Sequence, residues 1–254
     1  MHTIWLMRSK KKADMASVET DQRPWKRIYR IGAVAAIGAV LVGLLEIAIT
    51  FLPGGNTTQE TVLDWFELFN ENWFMGLRNL GLLNIAFNLL AILTYFTLYA
   101  VHWQDRRQPY AALAAIISFL GIGVFLATNR AFAMLDLSRQ YASAVTDAQR
   151  ISLAAAGQAM LAVGQSHTPG TFLGFFLAEV AGILISIVML RSQIFSKATA
   201  YAGIVGFGLL LVFEFFASFV AGLTAMTMVL AMLGGLLSMI WYLLVARRLI
   251  QLGQ

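Results

Sequence analysis

Six long apolar runs constrain this chain more than any other feature of its sequence. A helix needs about 20 mostly apolar residues to cross the hydrocarbon core of a bilayer. The chain offers such runs at 31–52, 77–101, 110–132, 171–190, 198–223 and 226–245. Because backbone polar groups must be satisfied internally in lipid, each run predicts a membrane-spanning helix. The predicted fold class is all-α: a polytopic transmembrane helix bundle of six spans.

The composition agrees with this prediction and excludes most soluble classes of protein. Hydrophobic residues make up 59% of the chain and charged residues 12%, whereas soluble domains average about 45–50% and about 25%. The net charge of +5 fits the basic loops of a membrane protein, so nucleic acid is not an expected partner. The chain has no cysteine, which excludes disulfides and thiolate metal sites.

The basic residues predict how the chain is threaded. They cluster in the N-terminal segment and, further along, at Arg106, Arg107, Arg191, Lys197, Arg247 and Arg248. With six spans all of these lie on one side, which the positive-inside rule makes cytoplasmic. Residues 1–30 are predicted to be a basic, poorly ordered cytoplasmic tail, and residues 31–254 a single membrane domain. The sequence leaves open whether translation starts at Met1, Met7 or Met15.

Two segments, 53–76 and 133–170, are too polar to span and are predicted to form amphipathic helices that cap the outer face. Thr57-x-x-Glu60 and Thr146-x-x-Gln149 have the capping-box pattern of a helix start. In the first segment an acidic face opposes an apolar one. The acidic face comprises Glu60, Asp64, Glu67 and Glu71, and the apolar face comprises Val62, Leu63, Phe66, Phe69 and Trp73. Four tryptophans are expected to form an interfacial aromatic belt: Trp65, Trp73, Trp103 and Trp241.

Three glutamates lie inside predicted spans, where a carboxylate costs about 2.5–3.5 kcal/mol. The helical rise places Glu46, Glu179 and Glu214 at roughly 9, 12 and 14 Å below the outer surface. We therefore predict an outward-facing ligand pocket with Arg78 or Arg130 as counter-charge. Its predicted wall is Glu46, Asn84, Asn88, Glu179 and Glu214. The alternative is that these polar side chains only join helices to one another.

No cofactor and no metal site is expected. None of the three histidines, His2, His102 and His167, falls in the middle of a span. This excludes haem or chlorophyll ligation by histidine within the membrane. No lysine lies inside a span, which excludes a retinal Schiff base, and no nucleophile-elbow or phosphate-loop motif is present.

Several soft motifs resemble those of an uncharacterised family of bacterial six-span membrane proteins, a domain of unknown function. They are RIYRIG at 27–32, SRQYA at 138–142, DAQR at 147–150, AAAGQ at 154–158 and SIVMLR at 186–191. The likeness covers most of residues 27–245. It implies a bacterial cytoplasmic (inner) membrane as the location, and it implies no activity or catalytic residue.

Three functions remain open on the sequence alone. The favoured one is a non-enzymatic membrane protein that binds, or transports, a hydrophobic or cationic ligand in the pocket. The second is an intramembrane enzyme that uses two carboxylates on a lipid or isoprenoid substrate. The third is an accessory subunit of a larger membrane complex. The expected partners are the lipid bilayer, a small ligand, and either another membrane protein or a second copy of the chain.

Overall fold

The computed structural model describes residues 2–50 and 59–254, and side chains from residue 25 onward within those ranges. The described part of the chain forms helices and no strands. The helices are α1 (His2–Thr50), α2 (Val62–Glu71), α3 (Trp73–Asn79), α4 (Leu82–Val101), α5 (Gln108–Thr128), α6 (Ala131–Ser143), α7 (Asp147–Gly164), α8 (Phe172–Ser192), α9 (Lys197–Phe219) and α10 (Thr224–Leu252). The predicted all-α class is confirmed.

Six segments are long and apolar enough to cross a membrane, as predicted. They are Trp25–Thr50, Leu82–Val101, Gln108–Ser143, Phe172–Ser192, Lys197–Phe219 and Thr224–Leu252. The chain is therefore a multi-pass membrane protein by length and composition of its helices. The predicted poorly ordered tail falls mostly on residues whose side chains lie outside the described part, and it stays a prediction.

The spanning helices form a closed ring. Each packs against two others in the order α1, α4, α5, α8, α9, α10 and back to α1. All six contribute to one apolar core, which includes Ala36, Tyr95, Ile185, Phe207 and Trp241. Helices α2, α3, α6 and α7 pack together at one end of the ring, which we call the cap side. The other end is the terminal side, where Arg30 of α1 donates to the carbonyl of Gly253 at the end of α10 (3.0 Å).

Two span boundaries differ from those predicted, and each has a local cause. The second span begins at Leu82 instead of Leu77, because Gly81 adopts a left-handed backbone (φ 93°) that separates α3 from α4. The helix of the third span, α5, ends at Thr128 instead of Phe132, and α6 begins at Ala131. Asn129 fills this break: its amide donates to the Leu80 carbonyl (2.8 Å), and its oxygen accepts from the Ala131 N–H (3.1 Å).

The cap helices bury their apolar faces against one another. Val62, Trp65, Phe66 and Phe69 of α2 are buried with Met134 of α6 and Leu161 of α7, while Glu67 and Glu71 are exposed. The predicted two-faced helix is therefore present in α2, and protein covers its apolar face. The prediction is wrong for two members of that face: Leu63 is 47% exposed, and Trp73 is exposed at the start of α3, where the chain has turned into a new helix. The second capping box, at Thr146 and Gln149, is confirmed. The first box forms at Thr61 and Asp64, and Thr57 of the predicted pattern lies outside the described residues.

Two of the four tryptophans of the predicted aromatic belt are exposed, and two are buried. Trp73 and Trp103 are more than half exposed, at 56% and 54%. Trp65 and Trp241 are buried, the first among the cap helices and the second at the centre of the ring. The belt prediction is wrong for these two tryptophans, because a position near a span end does not reveal which way the helix turns its side chain.

Candidate functional site

The ring is packed tightly on its terminal side and loosely on its cap side. On α4 no residue from 82 to 90 is fully buried, whereas Ala91, Tyr95 and Leu98 are. On α8 every residue from 175 to 180 is half-buried, while Ile185 and Met189 are buried. A helix in a filled bundle buries one continuous stripe along its length. From this partial exposure on every face of α4 and α8 we infer a recess inside the cap-side half of the ring.

Glu214 of α9 is the most buried carboxylate of this region, with its side chain 2% exposed. His167, in the turn between α7 and α8, places its Nδ1 2.7 Å from Glu214 Oε2. Ser218, one turn along α9, donates its hydroxyl to Glu214 Oε1 (3.1 Å). The imidazole lies between the rings of Phe175 (4.7 Å) and Phe213 (4.9 Å). Both carboxylate oxygens are thus bound, as burial of a charge demands.

Glu179 of α8 interacts electrostatically with Glu214 on the neighbouring helix α9. Its Oε2 is buried and has no hydrogen-bond partner among the described residues, although the residue as a whole is partly exposed. Glu179 also interacts electrostatically with Tyr95 of α4 and Tyr242 of α10. It therefore faces the interior of the ring, where α4, α8, α9 and α10 meet.

Aromatic side chains close the terminal end of the recess. Trp241 is fully buried and packs against Phe207 (5.1 Å between ring centroids), Tyr242 (4.9 Å) and Tyr95 (6.4 Å). The indole Nε1 of Trp241 and the hydroxyl of Ser186 are buried, and neither has a hydrogen-bond partner within the described part of the chain. The recess therefore ends on an aromatic floor, and these two polar atoms lie enclosed within the packing around Gly203.

Glu46 forms a separate ion pair. Its carboxylate lies 2.7 Å from Arg78 Nη2, and Arg78 is buried in α3 while Glu46 is 38% exposed. Arg78 also donates to the Glu46 carbonyl (3.0 Å) and to the hydroxyl of Thr50. The pair joins the end of α1 to the cap. Glu46 is thus paired with Arg78 at the end of α1, whereas Glu179 and Glu214 interact with each other.

The remaining predicted pocket residues fall in two places. Asn84 and Asn88 share the α4 face that carries Ala91 and Tyr95 further along, so they lie on the recess side of the helix. The Asn88 amide donates to the Asn84 carbonyl (2.8 Å). Arg130 donates instead to the Ala127 carbonyl at the end of α5 (2.7 Å), and within the described ranges it forms no ion pair with a carboxylate.

Sequence reasoning missed three residues of this site: His167, Tyr95 and Tyr242. His167 lies in a turn outside the spans, where a histidine carries no signal of a buried site. The turn folds back onto α9 beside Glu214, a contact between residues 47 positions apart that no local pattern encodes. The tyrosines had a weaker signal, since a phenol within an apolar run needs a polar neighbour when it is buried.

The arrangement suits binding and proton transfer, and it offers no metal centre among the residues described. No group of three or more histidine, aspartate or glutamate side chains in that part of the chain is placed to hold an ion. An imidazole, two carboxylates, a serine hydroxyl and two asparagine amides lie within or beside a recess whose other walls are apolar. Such a site favours a ligand that carries positive charge on an apolar body.

Comparison with known proteins adds nothing to this description: no family model, curated protein or solved structure matches the chain. The resemblance to the bacterial six-span family therefore stays a prediction. Fold and site together define the chain only as a multi-pass α-helical membrane protein with an acidic recess between its helices.

Proposed function

We propose that the protein binds an amphipathic cation in the recess, with Glu179 as its principal anionic contact. One observation carries this proposal: Glu179 and Glu214 interact electrostatically from neighbouring helices, and one buried oxygen of Glu179 is without a hydrogen-bond partner in the described part of the chain. A buried carboxylate without a partner is costly. A bound cation would supply the missing charge, which makes the pair of acids a binding feature.

The surrounding side chains support an apolar body for this ligand. Phe175 and Phe213 flank His167 at the cap end of the recess, and Trp241 lies at its floor. Aromatic faces attract cations, by about 0.5–2 kcal/mol depending on how far the pair is removed from water. An ordinary metal ion would gain little from such walls, whereas an organic ammonium or phosphonium ion would gain from both the charge and the rings.

The expected location is a bacterial cytoplasmic membrane with the terminal side facing the cytoplasm. Basic side chains on that side include Lys26, Arg27, Arg30, Arg106, Arg107, Arg191, Lys197, Arg247 and Arg248. Asp105 is the acidic side chain among them in the described part of the chain. This asymmetry supports the orientation by the positive-inside rule, and the resemblance to the bacterial family supports the compartment. The recess then opens toward the outside of the cell.

A second candidate is an intramembrane enzyme, and the His167–Glu214 contact favours it. An imidazole held by a buried carboxylate is a common arrangement for moving protons. The two candidates differ in what a bound lipid would undergo: a binding protein returns it unchanged, whereas an enzyme releases a product. Incubation with extracted bacterial lipids followed by mass spectrometry distinguishes them.

The binding proposal is tested with two probes of the same shape and opposite charge. Tetraphenylphosphonium is an apolar cation and tetraphenylborate an apolar anion. We expect the purified protein to bind the cation at least about tenfold more tightly, a difference of about 1.4 kcal/mol. Quenching of intrinsic tryptophan fluorescence reports the binding, since Trp241 lies at the floor. Equal affinity for the two ions would overturn the proposal.

A further inference from the structure

A second cavity lies on the terminal side of the ring, between the α8–α9 turn and the end of α10. Its volume is about 400 Å³. Polar and cationic side chains on its wall include Gln193, Ser196, Thr199, Arg247 and Arg248, and apolar ones include Phe195 and Leu244. The cavity is at the opposite end of the ring from the Glu179 recess and shares no residue with it. We call it the arginine pocket.

The turn that forms one wall of the arginine pocket is held in place by specific backbone features. Gln193 adopts a left-handed conformation (φ 59°) that ends α8 and redirects the chain. Ser196 then caps α9, its hydroxyl accepting from the Thr199 N–H (3.1 Å). Thr199, in the first turn of this 23-residue helix, lines the pocket, and the N-terminus of a helix carries partial positive charge.

Arg248 is oriented by the same turn. Its Nε donates to the Ile194 carbonyl (2.7 Å), and one terminal nitrogen donates to Gln251 (3.2 Å). The other terminal nitrogen has no hydrogen-bond partner among the described residues. Arg247 is exposed beside it. A guanidinium fixed by its Nε and still offering N–H groups is well suited to bind an oxyanion.

None of the residues described on the wall of the arginine pocket is acidic. From residue 180 to residue 254 the sequence contains a single acid, Glu214, which lies on the cap side. Arg191 and Lys197 flank the same turn, and neither forms a salt bridge with a carboxylate in the part of the chain that the structure describes. Asp105, in the α4–α5 turn, is paired with Arg107 at 3.4 Å. The arginine pocket is therefore strongly electropositive.

We infer that the arginine pocket is a binding site for a phosphate group, with Arg247, Arg248 and the first turn of α9 as its ligands. The shared chemistry is a glycerophosphate anion, and two sources can supply it: the headgroup of an anionic membrane lipid or a free phosphate ester. Leu244 and Phe195 would contact the first carbons of an attached glycerol or acyl chain. This inference is independent of the proposed cation binding at the other end of the ring.

The test uses the full chain in a neutral detergent, titrated with three compounds and followed by native mass spectrometry. They are phosphatidylglycerol, phosphatidylcholine and glycerol 1-phosphate. We expect a glycerophosphate compound to bind one equivalent per chain, and phosphatidylcholine to bind at least about tenfold more weakly than phosphatidylglycerol. Binding of phosphatidylglycerol alone identifies the lipid as the source. Equally tight binding of glycerol 1-phosphate identifies a free ester.

Variants separate a pocket from a merely basic surface. Arg247→Gln should weaken binding of the preferred compound about tenfold. Arg106→Gln removes an exposed charge from the same side but outside the pocket, and should leave binding unchanged. Leu244→Trp fills the cavity while keeping every charge, and should also weaken binding. The inference is overturned if none of the compounds binds, or if Arg247→Gln and Arg106→Gln behave alike.

Discussion

The contact between His167 and Glu214 is the most position-specific feature of the candidate site. His167 adopts a left-handed backbone (φ 58°), a conformation that Asn tolerates better than Ala does. Its ring supplies one of the two hydrogen bonds to a carboxylate that is 2% exposed. We expect His167→Ala to lower the free energy of unfolding by about 1–3 kcal/mol, since the carboxylate loses a partner.

His167→Asn should retain more of the stability, because an amide keeps a donor and accepts the backbone conformation. Thermal unfolding in detergent measures both variants. Gln165→Ala serves as the control. It changes the same turn two positions away and leaves the hydrogen bond between His167 and Glu214 in place. Equal melting temperatures for the alanine and asparagine variants would contradict the role assigned to His167.

The residues of the site differ in how visible they are in the sequence. Glu179 and Glu214 stand out because a carboxylate in an apolar run is costly. Glu46 obeys the same rule, and Arg78, one of the two counter-charges predicted from the sequence, pairs with it across 32 positions. His167 needs the three-dimensional path of the α7–α8 turn. Charge in or beside a span is thus readable from sequence, whereas a partner supplied by a turn is not.

At the level of single helices, two capping boxes of the cap side provide an internal comparison. In α2, Asp64 accepts the Thr61 N–H (2.7 Å) and the Glu60 N–H (3.1 Å). These bonds, with that of Thr61 the strongest cause, hold the pKa of Asp64 below its usual value. In α7 the same position is Gln149, which does not titrate.

The start of α2 should therefore loosen in acid while the start of α7 does not. A carboxylate with a lowered pKa stabilises the folded state above its usual pKa, and this contribution disappears as the pH falls through the lowered value. Hydrogen exchange, corrected for intrinsic rates, should show α2 amides losing protection between neutral pH and about pH 2, and α7 amides keeping theirs. Asp64→Asn should remove most of the α2 difference. Equal acid sensitivity in the two helices would refute this reading.

Substitution by alanine at two glycines of α9 should have opposite effects on stability. A Cβ at Gly203 would lie 2.0 Å from the Ser186 hydroxyl and 2.5 Å from Trp241 Cδ1, whereas a Cβ at Gly208 has nothing within 4 Å. Gly203→Ala should cost about 1–3 kcal/mol by overpacking the aromatic floor. Gly208→Ala should cost nothing, since alanine favours the helix. Melting temperatures of the two variants test this prediction. An equal loss of stability in both would contradict the packing described around Gly203.

The helices themselves were largely predictable, and their ends were not. Apolar runs of sufficient length give the number and order of the spans, because the bilayer imposes that length. The break at Gly81 and the break at Asn129 depend on each other through the bond from Asn129 to the Leu80 carbonyl. A boundary set by a tertiary contact is invisible to a hydropathy pattern, which averages over its window.

For the whole molecule, the absence of cysteine allows the proposed orientation to be tested directly. Single cysteines at Asn70 on the cap side and Gln104 on the terminal side are both at exposed positions. In intact bacterial cells a membrane-impermeant maleimide should label Asn70→Cys and spare Gln104→Cys. Permeabilised cells should show both labelled. The reverse pattern in intact cells would place the recess on the cytoplasmic side.

The central claim is that the cap-side recess binds an amphipathic cation through Glu179, and the dissociation constant of tetraphenylphosphonium for Glu179→Gln tests it most directly. Glutamine keeps the shape of the side chain and removes its charge. Glu67→Gln, on the exposed face of α2, is the matched control. The account predicts that Glu179→Gln weakens binding by about tenfold or more while Glu67→Gln leaves it unchanged. Unaltered affinity in Glu179→Gln, in a variant that melts at the wild-type temperature, would contradict it.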